Sequence, residues 1–225
     1  MAVVHMGSKR WLVLLNSPWL PAREMDQYNR WADAVMACDG ALLACSTHQI
    51  IPQVVVGDMD SAPRHLVDAY LASGGELVES MATDTTDLAK ALMEVKRRGG
   101  TSCVVIGVQG GDPQHEWGNL FACAASDLEL VAPLEQSKVL FSAAGKSYSI
   151  EMETGSDFSV FAWQACTGVT LTGCRYTLAD EGLEMSARGV HNEAVDARIL
   201  LCVDQGRLAI MTLPKVDLLA SLREA

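Results

Sequence analysis

The sequence predicts an open, mostly parallel α/β sheet domain followed by a small antiparallel β-sandwich domain. From Trp11 to about Leu134, compact apolar runs alternate with stretches of helical spacing. After Pro133, short strand-like runs follow one another through Gly, Asp and Asn turns, with no helical stripe until the tail. The chain has 225 residues, 49% hydrophobic and 20% charged, which is ample core material for two modest domains. The expected division is 1–135 and 136–225, with the change of texture near residues 133–146.

In the first part, Trp11–Leu15, Ala34–Cys38, Gln53–Val56 and Cys103–Ile106 are short and apolar throughout, as strands buried on both faces are. Between them, Arg64–Ala72 and Thr86–Arg98 have helical spacing. In the second of these, Leu88, Ala91, Leu92 and Val95 make one stripe, and Lys90, Glu94, Lys96 and Arg97 are expected to face away. Gly99 and Gly100 stop that helix. In the second part, Tyr148–Met152, Phe158–Trp163, Val169–Thr172, Leu183–Ser186, Ile199–Val203 and Leu208–Met211 are the expected strands.

A net charge of −11 repels a polyanion such as DNA, and no helix carries a Lys/Arg cluster to override it, so no nucleic-acid partner is expected. A metal-bound nucleotide is compatible with that charge, because a divalent cation bridges phosphate to carboxylate. No run reaches the roughly 18 to 20 apolar residues of a membrane span. The seven cysteines show no CxxC spacing and lie mostly in apolar runs, which points to buried free thiols and a cytoplasmic setting.

Ligands of open α/β sheets bind beyond the carboxyl ends of the strands, and three of the four strands run into acidic or glycine-rich turns there. These are Asp39-Gly40, Gly57-Asp58-Met59-Asp60-Ser61 and Gly107-Val108-Gln109-Gly110-Gly111. A fourth cluster, Thr83-Asp84-Thr85-Thr86-Asp87, opens the Thr86–Arg98 helix. Asp58 and Asp60 are one residue apart in a turn, so both carboxylates can enter one crevice if a hard cation offsets their repulsion. The alternative is structural: Asp58 caps a turn, Asp60 caps the Arg64–Ala72 helix, and Asp84 or Thr85 caps the next helix with Asp87 suiting its dipole. Gly110-Gly111 lets backbone approach a ligand, and His115 and Asn119, four apart, share a helix face. Walker, GxGxxG, HExxH and GxSxG motifs are absent.

In this order the clusters resemble the thiamine pyrophosphokinase family. Leu12-Val13-Leu14-Leu15-Asn16 is similar to its opening strand, Ala37-Cys38-Asp39-Gly40-Ala41 to its Ala-Asp-Gly-Gly-Ala turn, and Val56 to Ser61 to its Gly-Asp-Phe-Asp-Ser signature. Thr85 to Leu92 resembles the Thr-Asp-Leu-x-Lys-Ala-Leu element, and Gly107 to Leu120 the Gly-Gly-Arg-x-Asp-His…Asn-Leu region. Gly168 to Leu178 and Gly189-Val190-His191-Asn192-Glu193 carry the likeness into the second part. The chain departs from the pattern at Asp112, Gln114 and His191, which stand where the family has Arg, Asp and Ser, and at Ala82, where it often has an acidic residue. Arg175, Lys138 and Arg188 are candidate replacements for the missing cation.

The resemblance implies transfer of diphosphate from ATP to thiamine, releasing AMP. It implies Mg²⁺ held by Asp58, Asp60 and Asp87, with Asp84 adding a contact or accepting the alcohol proton. Asn16, Asp39, Gly40, Ser61, Gly110, Gly111, His115 and Asn119 would hold the nucleotide. His191 and Asn192 would lie at the thiamine site, in a homodimer. Two alternatives remain open at this point: a catalytically idle relative that binds thiamine or a nucleotide, and a diphosphokinase for another alcohol such as a hydroxymethylpterin.

Overall fold

The structure, a computed structural model, describes residues 9–79 and 85–222. It divides into two compact units, Met1–Leu128 and Glu129–Ala225.

In the first unit the order is β1 (Arg10–Leu14), α1 (Ala22–Trp31), β2 (Ala34–Cys38), α2 (Leu42–Thr47), β3 (Val54–Gly57), α3 (Arg64–Ala72), β4 (Glu76–Glu79), α4 (Asp87–Arg97), β5 (Ser102–Ile106) and α5 (Pro113–Ala125). The strands lie side by side as β5-β1-β2-β3-β4, and every pair is parallel. The chain steps from β1 outward to β4 and then returns to the other side of β1. Asn16 and Ser17 leave β1 at this reversal, the crevice-forming position of such sheets. β2, β3 and β5 are buried along their whole length, which is why they read as unbroken apolar runs.

The helices cover the sheet with narrow apolar stripes. α1 buries Met25, Tyr28 and Trp31, α3 buries Val67 and Tyr70, and α4 buries Leu88, Ala91, Leu92 and Val95. Each such large side chain contributes about 1.5–3 kcal/mol of hydrophobic stabilisation. Two α4 residues expected on the solvent side, Lys90 and Glu94, are buried. Glu94 meets Arg97 and the fully buried Arg98, whose guanidinium also makes a two-point contact with Glu76 at the start of β4 (2.6 and 3.1 Å). Burial pushes the Glu94 carboxyl up, but the hydrogen bonds from Arg97 and Arg98 outweigh it and hold it below the usual range.

The second unit comprises β6 (Glu129–Pro133), β7 (Lys138–Phe141), β8 (Lys146–Glu151), β9 (Asp157–Ala162), β10 (Cys166–Thr172), β11 (Leu178–Leu183), β12 (Asn192–Glu193), β13 (Arg198–Val203) and β14 (Leu208–Thr212). Two antiparallel arrays form within it, β12-β9-β14-β7-β6 and β11-β10-β13-β8. Alternating burial along β8, β9 and β13 directs Tyr148, Ile150, Phe158, Val160, Ile199 and Leu201 into its core. The strand expected at Leu183–Ser186 lies earlier, at Leu178–Leu183. There the left-handed residue Asp180 (φ 55°) and irregular pairing with β10 break the alternation. Among the described residues, the last element is a 3-10 turn at Ala220–Leu222. Among the described residues, no helix is long and apolar enough to cross a membrane.

Candidate active site

A cavity of about 530 Å³ opens in the first unit, where β1, β2 and β3 end and α4 and α5 begin. Its wall is built from the turns that follow those strands. Asp39, at the end of β2, is only 2% exposed. Its Oδ1 accepts the Gly40 amide (2.6 Å), while its buried Oδ2 has no hydrogen-bond partner among the described residues. Burial raises its carboxyl above the ordinary range; the Gly40 and Met59 amides act against this, and the charges of Asp87 and Asp58 add to it. Glycine is required around this carboxylate. A Cβ on Gly57 would stand 2.6 Å from Asp39 Cγ, and one on Gly40 would stand 2.7 Å from Asn16 Nδ2.

The turn after β3 brings a second and third carboxylate to the same place. Met59 adopts a left-handed conformation (φ 66°), the Asp60 amide donates to Asp58 Oδ1 (3.3 Å), and Ser61 Oγ donates to Asp60 Oδ1 (2.9 Å). A non-glycine residue in this region costs on the order of 1 kcal/mol or more, so the turn is held open at some expense to stability. Bonds from the Asp60 amide, then its side chain, hold the Asp58 carboxyl below its usual range. Asp60 does not cap α3, which starts after Pro63 with no side-chain cap. Oxygens of Asp39, Asp58 and Asp60 all lie within 4.8 Å of one another. Three carboxylates this close repel strongly unless a cation sits among them.

Asp87 lines the same cavity from the first turn of α4, where Thr86, rather than Thr85, caps the helix by accepting the Ala89 amide (3.3 Å). Asp84 lies outside the described residues. Lys90, one turn on, lines the cavity as well and places Nζ 3.0 Å from Asp87 Oδ1. That hydrogen bond, reinforced by the charges of Asp87, Asp58 and Asp39, raises its pKa. Lys90 thus lines the cavity, although helical spacing alone points it outward. Its spacing of three from Asp87 is the signal that could have placed it.

The far wall is the start of α5. Gly111, Asp112, His115 and Asn119 face the cavity, whereas Gly110 does not. The Gly110 amide is taken by Glu116 (2.7 Å), and Asp112 caps α5 by accepting the amides of Gln114 (2.8 Å) and His115 (3.3 Å).

Residue range 25–131 matches the family model of the thiamin pyrophosphokinase catalytic domain. Within this α/β unit the chain is similar to the thiamin pyrophosphokinase catalytic domain. Thiamine pyrophosphokinase 1 of Arabidopsis thaliana is 37% identical over 76 residues, 31% of this chain, so the match spans only 28% of that relative's length. The thiamin pyrophosphokinase fold extends further. The Bacillus subtilis thiamine pyrophosphokinase structure is similar at a TM-score of 0.73 and 20% identity, over 92% of this chain and all of that one. The Candida albicans enzyme is similar at 0.73 and 9% identity, over 94% of this chain and 91% of its own. At these identities the likeness is one of fold.

In the second unit, Asn192 borders a separate cavity of about 470 Å³ lined by apolar side chains such as Val160, Leu171 and Leu183 together with Arg175 and Arg188; His191 does not border it. The buried Asn192 amide exchanges hydrogen bonds with the Tyr176 backbone (3.0 and 2.8 Å), a bracing role for the adjoining loop. His191 is left-handed (φ 57°), and its amide donates to Ser159 Oγ (3.1 Å). The candidate replacement cations lie in this unit: Arg175 pairs with Glu193 (2.9 Å), Arg188 with Glu181 (2.7 Å), and Lys138 donates to the Val216 carbonyl (3.1 Å).

Proposed function

We propose that the protein transfers a diphosphate group from ATP to thiamine, forming thiamine diphosphate and AMP. One observation carries the reading: a buried Asp39 oxygen without a partner among the described residues sits in a cluster with Asp58 and Asp60, at the ligand-binding edge of the sheet. An oxygen-only donor set with one orphaned carboxylate oxygen fits Mg²⁺, which prefers a few carboxylates and completes its shell with water and phosphate. Asp39, Asp58 and Asp60 would hold it, with Asp87 on the adjoining wall. When bound, Mg²⁺ supplies positive charge where phosphate oxygens meet the carboxylates.

The chain's own groups then position the reactants, which is most of what such a transfer needs. Lys90 offers an ammonium to the phosphates. Asn16, Gly40, Ser61, Gly111, His115 and Asn119 shape the nucleotide's seat. The thiamine hydroxyl oxygen bonds to the β-phosphorus as the bond from that phosphorus to the oxygen bridging the α-phosphate breaks, and AMP departs with that oxygen. Asp87, or Asp84, would receive the hydroxyl proton. The domain boundaries 1–135 and 136–225 correspond in this reading to a catalytic domain and a thiamine-binding domain, the latter through the His191-Asn192 turn. A homodimer is supported by the exposed Trp117–Phe121 pair on α5, and a cytoplasmic setting by the free cysteines.

Chromatography after incubation with thiamine, Mg²⁺ and ATP tests the reading. Wild-type protein should form equimolar AMP and thiamine diphosphate, and Asp58→Asn should lose about 100-fold or more in rate while remaining folded. Ligand binding without AMP would favour an idle relative, a reading to which Asp112 in the cavity wall lends support. Transfer to a hydroxymethylpterin in preference to thiamine would replace the substrate.

A further inference from the structure

The loop after β5 packs along the loop after β1, and each gives a residue to the cavity wall, Gly111 from the first and Ser17 from the second. The seam between them is tight. A Cβ on Gly107, Gly110 or Gly111 would stand 3.2 Å from Ser17 Cβ, 3.2 Å from Pro18 Cδ and 3.0 Å from Ser17 Oγ, respectively. Gly107 (φ 87°) and Gly110 (φ 96°) are also left-handed. Three glycines within five residues give this loop much conformational freedom to lose. Holding it in one conformation before a ligand arrives therefore lowers the cost of binding. The β1 side of the seam is fixed by its own chain, where the Leu15 carbonyl accepts the Ser17 amide (3.0 Å) and the Trp19 indole N–H (2.9 Å). The β5 side is held by a side chain from the helix that follows. Glu116, in the first turn of α5, reaches back beyond the helix start, and its Oε1 accepts the Gly110 amide at 2.7 Å. Asp112, four residues earlier, accepts amides only within α5.

We propose that Glu116 is a positioning residue for the nucleotide: by accepting the Gly110 amide it presets the Gly107–Gly111 loop against Ser17 and Pro18, with Gly111 at the cavity, before the nucleotide binds. The inference rests on the diphosphotransfer reading for the presence of a nucleotide. Glu116 does not itself line the cavity, so its effect is carried by Gly110 and Gly111. A carboxylate oxygen bonded to a backbone amide is a strong pin for so short a loop. Losing it raises the ordering cost of nucleotide binding and leaves the Asp39–Asp58–Asp60 cluster as it is.

Two variants of the full chain test this. Glu116→Ala removes the acceptor while alanine keeps α5 helical, and Glu116→Gln keeps an acceptor oxygen without the charge. Calorimetry with a non-hydrolysable ATP analogue at saturating Mg²⁺ should show binding weakened roughly tenfold in Glu116→Ala, and within about twofold of wild type in Glu116→Gln. In turnover with thiamine the loss in Glu116→Ala should fall on KM for ATP, with kcat within about twofold of wild type. The rise in thermal midpoint that Mg²⁺ gives the nucleotide-free protein should be the same in Glu116→Ala as in wild type, which separates this loop from the carboxylate cluster. Wild-type affinity in Glu116→Ala, an equal loss in both variants, or a Mg²⁺ response lost in Glu116→Ala would overturn this inference alone, provided wild type still forms AMP. A wild type that neither binds the analogue nor forms AMP would overturn the functional reading and this inference together.

Discussion

At the C-terminal end of α4, Arg98 has no exposed side-chain surface, and its guanidinium is divided between Glu94 and Glu76, with Arg97 completing a closed set of ion pairs. At the N-terminal end of the same helix, Lys90 meets Asp87 beside a carboxylate cluster in which Asp39 keeps an unpartnered oxygen. One helix of eleven residues, about 16 Å long, carries a balanced charge network toward one end and an unbalanced one toward the other. The balanced end fastens the edge strand β4 to α4. The other end retains negative charge that folding alone would neutralise or exclude, and so marks where a ligand is expected.

The largest effect should come from unbalancing the closed end. Arg98→Leu leaves Glu94 and Glu76 without their buried partner and should lower unfolding free energy by about 3 kcal/mol in urea denaturation. A loss under about 1 kcal/mol would show the network to be incidental. The same comparison has a pH signature. Glu94 has a folded pKa lowered from 4.5, so its contribution is present above pH 4.5 and is lost as pH falls through the lower folded value. Acid titration should therefore destabilise wild type more steeply in that window than Arg98→Leu.

A smaller effect of opposite sign is expected at the open end. The Asp39 carboxyl is raised in the folded protein, so its favourable contribution exists at low pH and disappears as pH rises through the folded value. At neutral pH without metal, Asp39→Asn should keep the Gly40 bond, remove the repulsion, and increase stability by about 1 kcal/mol. Destabilisation by a similar amount would mean that the carboxylate is structurally satisfied.

The sequence showed the closed elements and the site's carboxylates more clearly than its geometry. β2, β3 and β5 were legible because a strand buried on both faces leaves an unbroken apolar run. α1 was not, since Arg23, Glu24, Asp26 and Arg30 dilute a stripe of only three buried residues. β4 is four residues long and only half-buried, too short for periodicity to declare it. Asp58 and Asp60 stood out by spacing, but that Asp39 joins them within 4.8 Å depends on parallel pairing of β2 with β3, which no local pattern reveals. Charge on Lys90 points to exposure, yet the side chain is buried against Asp87. Gly110 was placed at the ligand by its neighbour Gly111, yet its amide is occupied by Glu116.

The central claim, that Asp39, Asp58 and Asp60 form a metal-ready cluster, is tested most directly by thermal unfolding of the nucleotide-free protein across a Mg²⁺ or Mn²⁺ titration, in wild type and Asp58→Asn. Wild type should gain several degrees on saturation, since a ligand bound only by the folded state stabilises it, and Asp58→Asn should show little or no gain. Equal gains in the two proteins, or none in wild type, would contradict the account.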